Sequence, residues 1–377
     1  MNFRAVAKML GIVLMIVAVF LAVSAGVGLG YGEKEPMWSF VAAATVSFLS
    51  GGLTAFVFRD ASHDLNGRPK YYRREGLATV GLSWIVAGAA GALPYLFSGT
   101  LTSFVDAYFE SVSGWTTTGS TIMSADQIDG MSHAIAFWRC FSQWLGGFGI
   151  VMVFVVLFPT GGRSLFRSEV PGVSREAAHQ RVRDSAVMLA KIYCLLSTGL
   201  VISLLAVGMP PFDAVIHTFS TIANGGFSNH SESIAHFKSG AIEMVLVVFM
   251  LMSALNFTIY DALLRGGPKG RIGPAWHRFY GSLEARLFLG IVAFCTLSIA
   301  AVLWHTEGMP EYGEPLRAVR DSLFQVVCVI TTAGFATEDF DAWPQYCRIV
   351  LMLIAISGAC AGSTAGGLKI ENVRLKD

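Results

Sequence analysis

The stretch SVSGWTTTGSTI (residues 111–122) decides the fold of this chain. It is a run of serine, threonine and glycine set between two long apolar segments, 76–98 and 133–159. Of the 377 residues 54% are hydrophobic and 14% charged, far from the quarter charged that is usual in soluble domains. So many small polar groups in a chain composed for lipid need a reason. The stretch also recurs. DAYFESVSGWTTTG (106–119), DAVIHTFSTIANGG (213–226) and DSLFQVVCVITTAG (321–334) each place a glycine 13 residues after an aspartate, and the three glycines lie 107 and 108 residues apart. Equal spacing of a complex pattern marks an internal repeat.

Apolar runs of about 20 residues, the length that crosses ~30 Å of hydrocarbon, occupy 9–30, 37–58, 76–98, 133–159, 186–208, 239–264, 285–305 and 345–361. They predict an all-α polytopic membrane protein with eight spans. Arg4 and Lys8 before an apolar core have the form of a signal peptide, but a second span follows at once, so the segment is read as a retained span. Lys and Arg concentrate in alternate loops: Arg59 to Arg74, Arg163 to Arg183, and Arg265 to Arg286. The opposite loops, 99–132 and 209–237, contain none, which predicts both termini on the cytoplasmic side.

Each part of the repeated device has a physical role. Asp106, Asp213 and Asp321 are expected to cap a short helix, with an oxygen accepting from its first free N–H groups. About ten residues at 1.5 Å each reach only about half the bilayer, so the helix enters from outside and stops midway. The residues after it are then non-helical backbone at membrane depth, tolerated only against protein or a water-filled cavity. Glycine lets such backbone point its carbonyls one way, and carbonyl and threonine oxygens replace the hydration shell of a potassium ion. The alternative is that these small residues serve helix packing.

These residues resemble the Trk/Ktr/HKT superfamily of potassium transporters, most closely its bacterial TrkH/TrkG branch. The resemblance rests on SGWTTTGST, STIANGGFSNH, ITTAGFAT, FWRCFSQWLGGFGIVM and GACAGSTAGGLK. It implies K+-channel-like span–pore-helix–span repeats around a pore. The ion-coordinating filter would comprise Thr116, Thr117, Thr118 and Gly119; Ala223, Asn224, Gly225 and Gly226; Thr331, Thr332, Ala333 and Gly334. It further implies a gate loop in the membrane below the filter, on Gly358, Gly362, Ser363, Thr364, Ala365, Gly366, Gly367 and Lys369. K+ would be the transported ion, with no covalently bound cofactor. The implied setting is the bacterial inner membrane and the implied assembly a homodimer, with a TrkA-like cytosolic nucleotide-binding regulatory subunit and membrane lipid as partners.

The expected organisation is an N-terminal pair of spans (1–60) and three pore repeats at 75–160, 185–265 and 284–377, the last carrying the gate loop. The family has four repeats and a positively charged pore residue in the last span; the sequence offers three, and 363–366 follows too soon after Gly334 to be a fourth filter. Two readings stand beside potassium uptake: a truncated or split subunit that transports only with a second chain supplying repeat 4, and a non-transporting membrane scaffold. An irregularity is also expected in the other second spans, at Gly146 and Gly147 and at Asn256.

Other residues suggest less. Glu110, Asp126, Asp129, Glu307, Glu311, Glu314, Glu338, Asp339 and Asp341, against Arg317 and Arg320, read equally as an acidic outer mouth that concentrates cations or as loops that the positive-inside rule has depleted of Lys and Arg. Arg139, Lys191, Lys238 and Arg348, in or beside spans, mostly read as snorkelling. His217 reads as packing. GGPKGRIG (266–273) lacks the strand and the Ser or Thr of a phosphate loop. Six scattered cysteines suggest neither a disulfide framework nor a zinc site. A net charge of +1 without a basic face argues against nucleic acid, and no nucleophile–base pair points to an enzyme.

Overall fold

The computed structural model describes residues 1–59, 73–157, 175–257, 260, 282–306, 312–360 and 363–367, with side chains left undescribed at 73, 150–157 and 175–186. All regular elements among the described residues are helices. They divide between two compact units, Met1–Leu145 and Gly146–Asp377. GGPKGRIG lies outside the described residues.

In the first unit α1 (Phe3–Gly30) and α2 (Lys34–Val57) form a hairpin, and α3 (Arg73–Phe97) packs against both. The faces are inverted relative to a soluble helix. Phe48, Leu49, Leu53 and Phe56 of α2 stand exposed, while its buried residues are Ser39, Phe40, Ala43, Ser47 and Gly51. Small residues inside let backbones approach where lipid removes the usual hydrophobic drive between helices. The same logic places α4 (Phe104–Trp115) on α3, against the AGAAGA run at 87–92. A short helix, α5 (Ala125–Asp129), leads to α6 (His133–Leu157). There Trp138 donates from Nε1 to the Gly91 carbonyl at 3.1 Å and meets Trp115 and Phe40 edge-on.

In the second unit α8 (Pro211–Ile222) lies against α7 (Arg175–Ala206) and α9 (Gly240–Ala254). The third copy repeats this, with α11 (Pro315–Ile330) against α10 (Leu283–His305) and α12 (Gln345–Ser357). α9 and α11 touch, and the main-chain N–H groups of Ile234 and Ala235 both donate to the Ala336 carbonyl, at 3.1 and 3.2 Å. Five described helices are long and apolar enough to cross a membrane; α9 and α12 are apolar but shorter.

Three expectations need correction. The half-helices α4, α8 and α11 run 12, 12 and 16 residues, and the aspartates do not cap them. The cap positions are Ser103, Pro210 and Glu314. Ser103, in extended conformation, accepts from the Asp106 N–H at 3.4 Å, and Pro211 and Pro315 begin their helices ahead of the aspartate. Proline suits the first helical position because its φ is already helical and its missing N–H has no partner there. Asp106 and Asp213 are therefore third residues, still near the positive helix end, while Asp321 is the seventh. Second, α6 passes through Gly146 and Gly147 without a break. Third, α9 ends at Ala254 and α12 at Ser357, short of the apolar runs to 264 and 361 but beside the irregularity expected at Asn256 and the break expected from 358. Leu255 turns extended and Gly358 takes φ 63°.

The start of α6 is held from far away. Glu33, in the turn between α1 and α2, accepts from the main-chain N–H groups of His133 (2.8 Å) and Ala134 (3.1 Å) and from His133 Nδ1 (2.8 Å). Burial alone would raise the Glu33 carboxyl, but the hydrogen bonds from His133 and Ala134 and the charge of His133 outweigh it and hold it below its usual 4.5. A lowered carboxyl favours the fold above its ordinary range, and that contribution fades as pH falls through the lowered value. Glu33→Ala is expected to cost about 1 kcal/mol at pH 7, as for loss of a helix cap. Thermal unfolding of the two proteins in detergent, followed from pH 7 downward, should converge as the carboxyl protonates.

Candidate functional site

The half-helices α4, α8 and α11 end alike. After α4 the N–H of Thr117 donates to the Gly114 carbonyl (3.0 Å) and that of Thr118 to Ser113 (2.9 Å). After α8 Asn224 donates to Thr221 (3.1 Å) and Gly225 to Ser220 (2.8 Å); after α11 Thr332 donates to Val329 (3.1 Å) and Ala333 to Cys328 (2.9 Å). This is the Schellman turn, whose pivot is left-handed and is usually glycine. Here the pivots are Thr117, Asn224 and Thr332, at φ 54°, 52° and 58°. Left-handed backbone costs an L-residue about 1–2 kcal/mol, and for β-branched threonine it is a true outlier. The same left-handed pivot at the same register three times, tolerated at Asn224 and strained at Thr117 and Thr332, is a mark of function.

Two residues after each pivot comes a glycine with φ of 77°, 76° and 74°, Gly119, Gly226 and Gly334. Within the chain, among the described residues, the main-chain carbonyls of Thr116–Gly119 and of Thr331–Gly334 accept no hydrogen bond. They continue the negative end of a helix. Segments 223–226 and 331–334 lie against one another: a Cβ placed on Gly226 would collide with the Ala333 carbonyl oxygen. At Gly334 the space is open, and only its φ calls for glycine. Thr116, Thr118 and Gly334 are exposed, whereas Ala223, Asn224, Gly225, Thr331 and Ala333 are buried. Oxygen left unmatched in this way suits a cation that has shed water.

Below the second and third segments the chain doubles back. Gly358 and Gly367 meet backbone to backbone, so that a Cβ on Gly367 would lie 2.5 Å from the Gly358 Cα. In the loop they close, the buried Thr364 accepts from Asn224 Nδ2 (2.8 Å) and directs its own hydroxyl at the carbonyls of Ile222 (3.0 Å) and Ser253 (3.2 Å). Ser253 Oγ in turn donates to Asn224 Oδ1 (3.1 Å), and the Gly366 N–H donates to Thr332 Oγ1 (2.8 Å). One hydroxyl thus serves the ends of two broken helices and the pivot of one segment. Ser363 and Ala365 are buried in the same loop; Gly362 and Lys369 lie outside the described residues. Gly147 of α6 also reaches this region, since a Cβ there would sit 3.0 Å from the Ala223 Cα.

Sequence reasoning missed one pair. Glu110 is not part of an acidic mouth: it is fully buried, and Arg139, 2% exposed, donates to it from Nε at 2.6 Å. Lys191, Lys238 and Arg348 are exposed, unlike Arg139. Along the first half of α11 Asp321 and Glu338 are matched by Arg317 and Arg320, the latter also reaching Glu243 at 3.2 Å. Glu307 and Glu311 lie outside the described residues. His217 is buried in hydrogen bonds to the Asp213 carbonyl and Ser228. None of the six cysteines is in a disulfide, and no group of three metal-ligating side chains occurs among the described residues.

A family model described as TrkH, cation transport protein, matches residues 39–375. The Trk system potassium uptake protein TrkH of Vibrio parahaemolyticus is 35% identical over 380 residues, which cover 100% of this chain and 75% of that protein. The corresponding TrkG of Escherichia coli is 30% identical over 371 residues, covering 97% and 72%. The crystal structure of the potassium transporter TrkH from Vibrio parahaemolyticus superposes with a TM-score of 0.84, covering 98% of this chain and 73% of that one.

Gly226→Ala and Gly334→Ala separate conformation from space. Both should lose about 1–2 kcal/mol to the left-handed backbone; Gly226→Ala should lose more, because it also displaces Ala333. Denaturant titration in detergent, with Gly290→Ala on the open side of α10 as the control, reads the difference.

Proposed function

Because the chain belongs to the TrkH family of cation transport proteins, we propose that it carries potassium ions across a bacterial inner membrane as the pore-forming part of a Trk-type uptake system. The observation that carries this reading is the threefold Schellman turn with a non-glycine pivot. Three strained turns, each leading to a glycine at positive φ, are hard to explain as packing, which gains nothing from left-handed threonine.

In this reading residues 116–119, 223–226 and 331–334 coordinate the ion. An entering K+ gives up water for main-chain and threonine oxygen that is already in position, so little reorganisation opposes binding. The half-helix ends add partial negative charge. Loop 358–367 then acts as the gate. Its hydrogen bonds through Thr364 and Gly366 to Asn224 and Thr332 support a closed state latched to the second and third segments. Regulation by a TrkA-like nucleotide-binding ring and assembly as a homodimer are proposed from family membership alone.

Rubidium uptake into liposomes holding the chain is the test, with K+ and Na+ as competitors. Saturable uptake blocked by K+ is expected; none from folded protein would overturn the reading that these residues suffice for a path. Thr117→Val and Asn224→Ala should alter the K+/Na+ preference. Thr364→Val, or removal of 363–366, should raise flux several-fold and leave that preference in place.

A further inference from the structure

Each half-helix also reaches across its own turn to the segment that leaves it. Nine residues before the filter glycines stand Glu110, His217 and Gln325. Glu110 accepts from the Thr121 hydroxyl with both oxygens, at 3.0 Å each, and from the Ile122 N–H at 3.1 Å. The Nε2 of His217 shares a hydrogen bond with Ser228 Oγ at 3.0 Å. Gln325 donates from Nε2 to Thr337 Oγ1 at 3.4 Å and to the Glu338 carbonyl at 3.3 Å. In every case the partner lies two to four residues beyond the glycine. All three side chains are at least 99% buried.

We infer that Glu110, His217 and Gln325 are positioning residues that fix the outward limb of each segment and thereby set how strictly it discriminates K+ from Na+. The inference rests on the filter reading above. The Schellman turn pins only the inner end of each segment, so the carbonyls between turn and glycine keep one place only if the far end is pinned too. A segment free at that end contracts around the smaller ion; a segment held at both ends cannot. Three unlike side chains make the same connection at one register, which identifies the connection, rather than any single residue, as what the architecture requires. A second tie runs parallel to it, six residues before the glycine: Ser113 Oγ donates to the Ser120 carbonyl (2.6 Å) and Cys328 Sγ to Phe335 (3.1 Å). The ties also differ in strength. Glu110 is charged, paired with Arg139 and held by short bonds, whereas Gln325 has two long neutral ones.

The test reads equilibrium binding of radioactive rubidium to the purified full chain, displaced by K+ or by Na+, so that it does not depend on an open gate. Ser228→Ala removes the partner of His217 from the outer limb, and Thr337→Val one of the two partners of Gln325, the Glu338 carbonyl remaining; both leave the half-helix untouched. Ser228→Ala should lower the K+/Na+ displacement ratio at least fivefold and Thr337→Val about twofold, with rubidium capacity retained. Thr121→Val should do less, because the Ile122 N–H and Arg139 still hold Glu110. His217→Leu should lose the ratio and His217→Gln should restore it to within twofold. Unchanged ratios in Ser228→Ala and Thr337→Val, beside a changed ratio in Thr332→Val, overturn the inference and spare the filter. His217→Gln as poor as His217→Leu overturns it as well. If neither Thr332→Val nor any of these moves the ratio, or if the unmodified chain binds no rubidium, the filter reading fails and this inference fails with it.

Discussion

A helix that stops inside hydrocarbon leaves its last carbonyls with no water to receive them, and each costs several kcal/mol if nothing else does. The chain meets that constraint at the ends of α4, α8 and α11 in two ways. Part of the polar backbone is absorbed locally, by the turns that return N–H groups to the preceding carbonyls. At the ends of α4 and α11 the carbonyls of Thr116–Gly119 and Thr331–Gly334 stay open among the described residues. In the proposed reading a dehydrated cation takes the place of the missing partner.

The left-handed pivots reveal how the constraint is shared. Glycine would relieve the strain at 117, 224 and 332, yet the chain places Thr, Asn and Thr there. At two of these positions the side chain is occupied: Asn224 holds Thr364 and Ser253, and Thr332 receives the Gly366 N–H. A glycine pivot would release the loop beneath. Strain in the turn and attachment of the loop are thus two aspects of one choice of residue, which ties the conformation of the second and third segments to the state of 358–367.

Much of this was legible in the sequence because it repeats. Three glycines at equal spacing, each behind an aspartate and a helix-length run, specify the half-helices and the turns without reference to contacts. What escaped depends on partners remote in the chain or on main-chain detail. Composition placed Glu110 at a surface; its burial follows from Arg139, 29 residues on, at a position with no pattern to announce it. Aspartate looked like a cap because it is a good one, but proline at 211 and 315 starts the helix earlier. Gly146 and Gly147 resembled a break, whereas Gly147 admits the backbone of Ala223 beside an unbroken helix. The ends of α9 and α12 could not be read from hydropathy, since apolar residues continue past both.

The carboxylate of Glu33 bears on how the chain is made as well as how it stands. It caps α6 from a turn 100 residues earlier. Synthesis delivers the N-terminal hairpin first, so the acceptor for the opening N–H groups of α6 is in place before that helix leaves the ribosome.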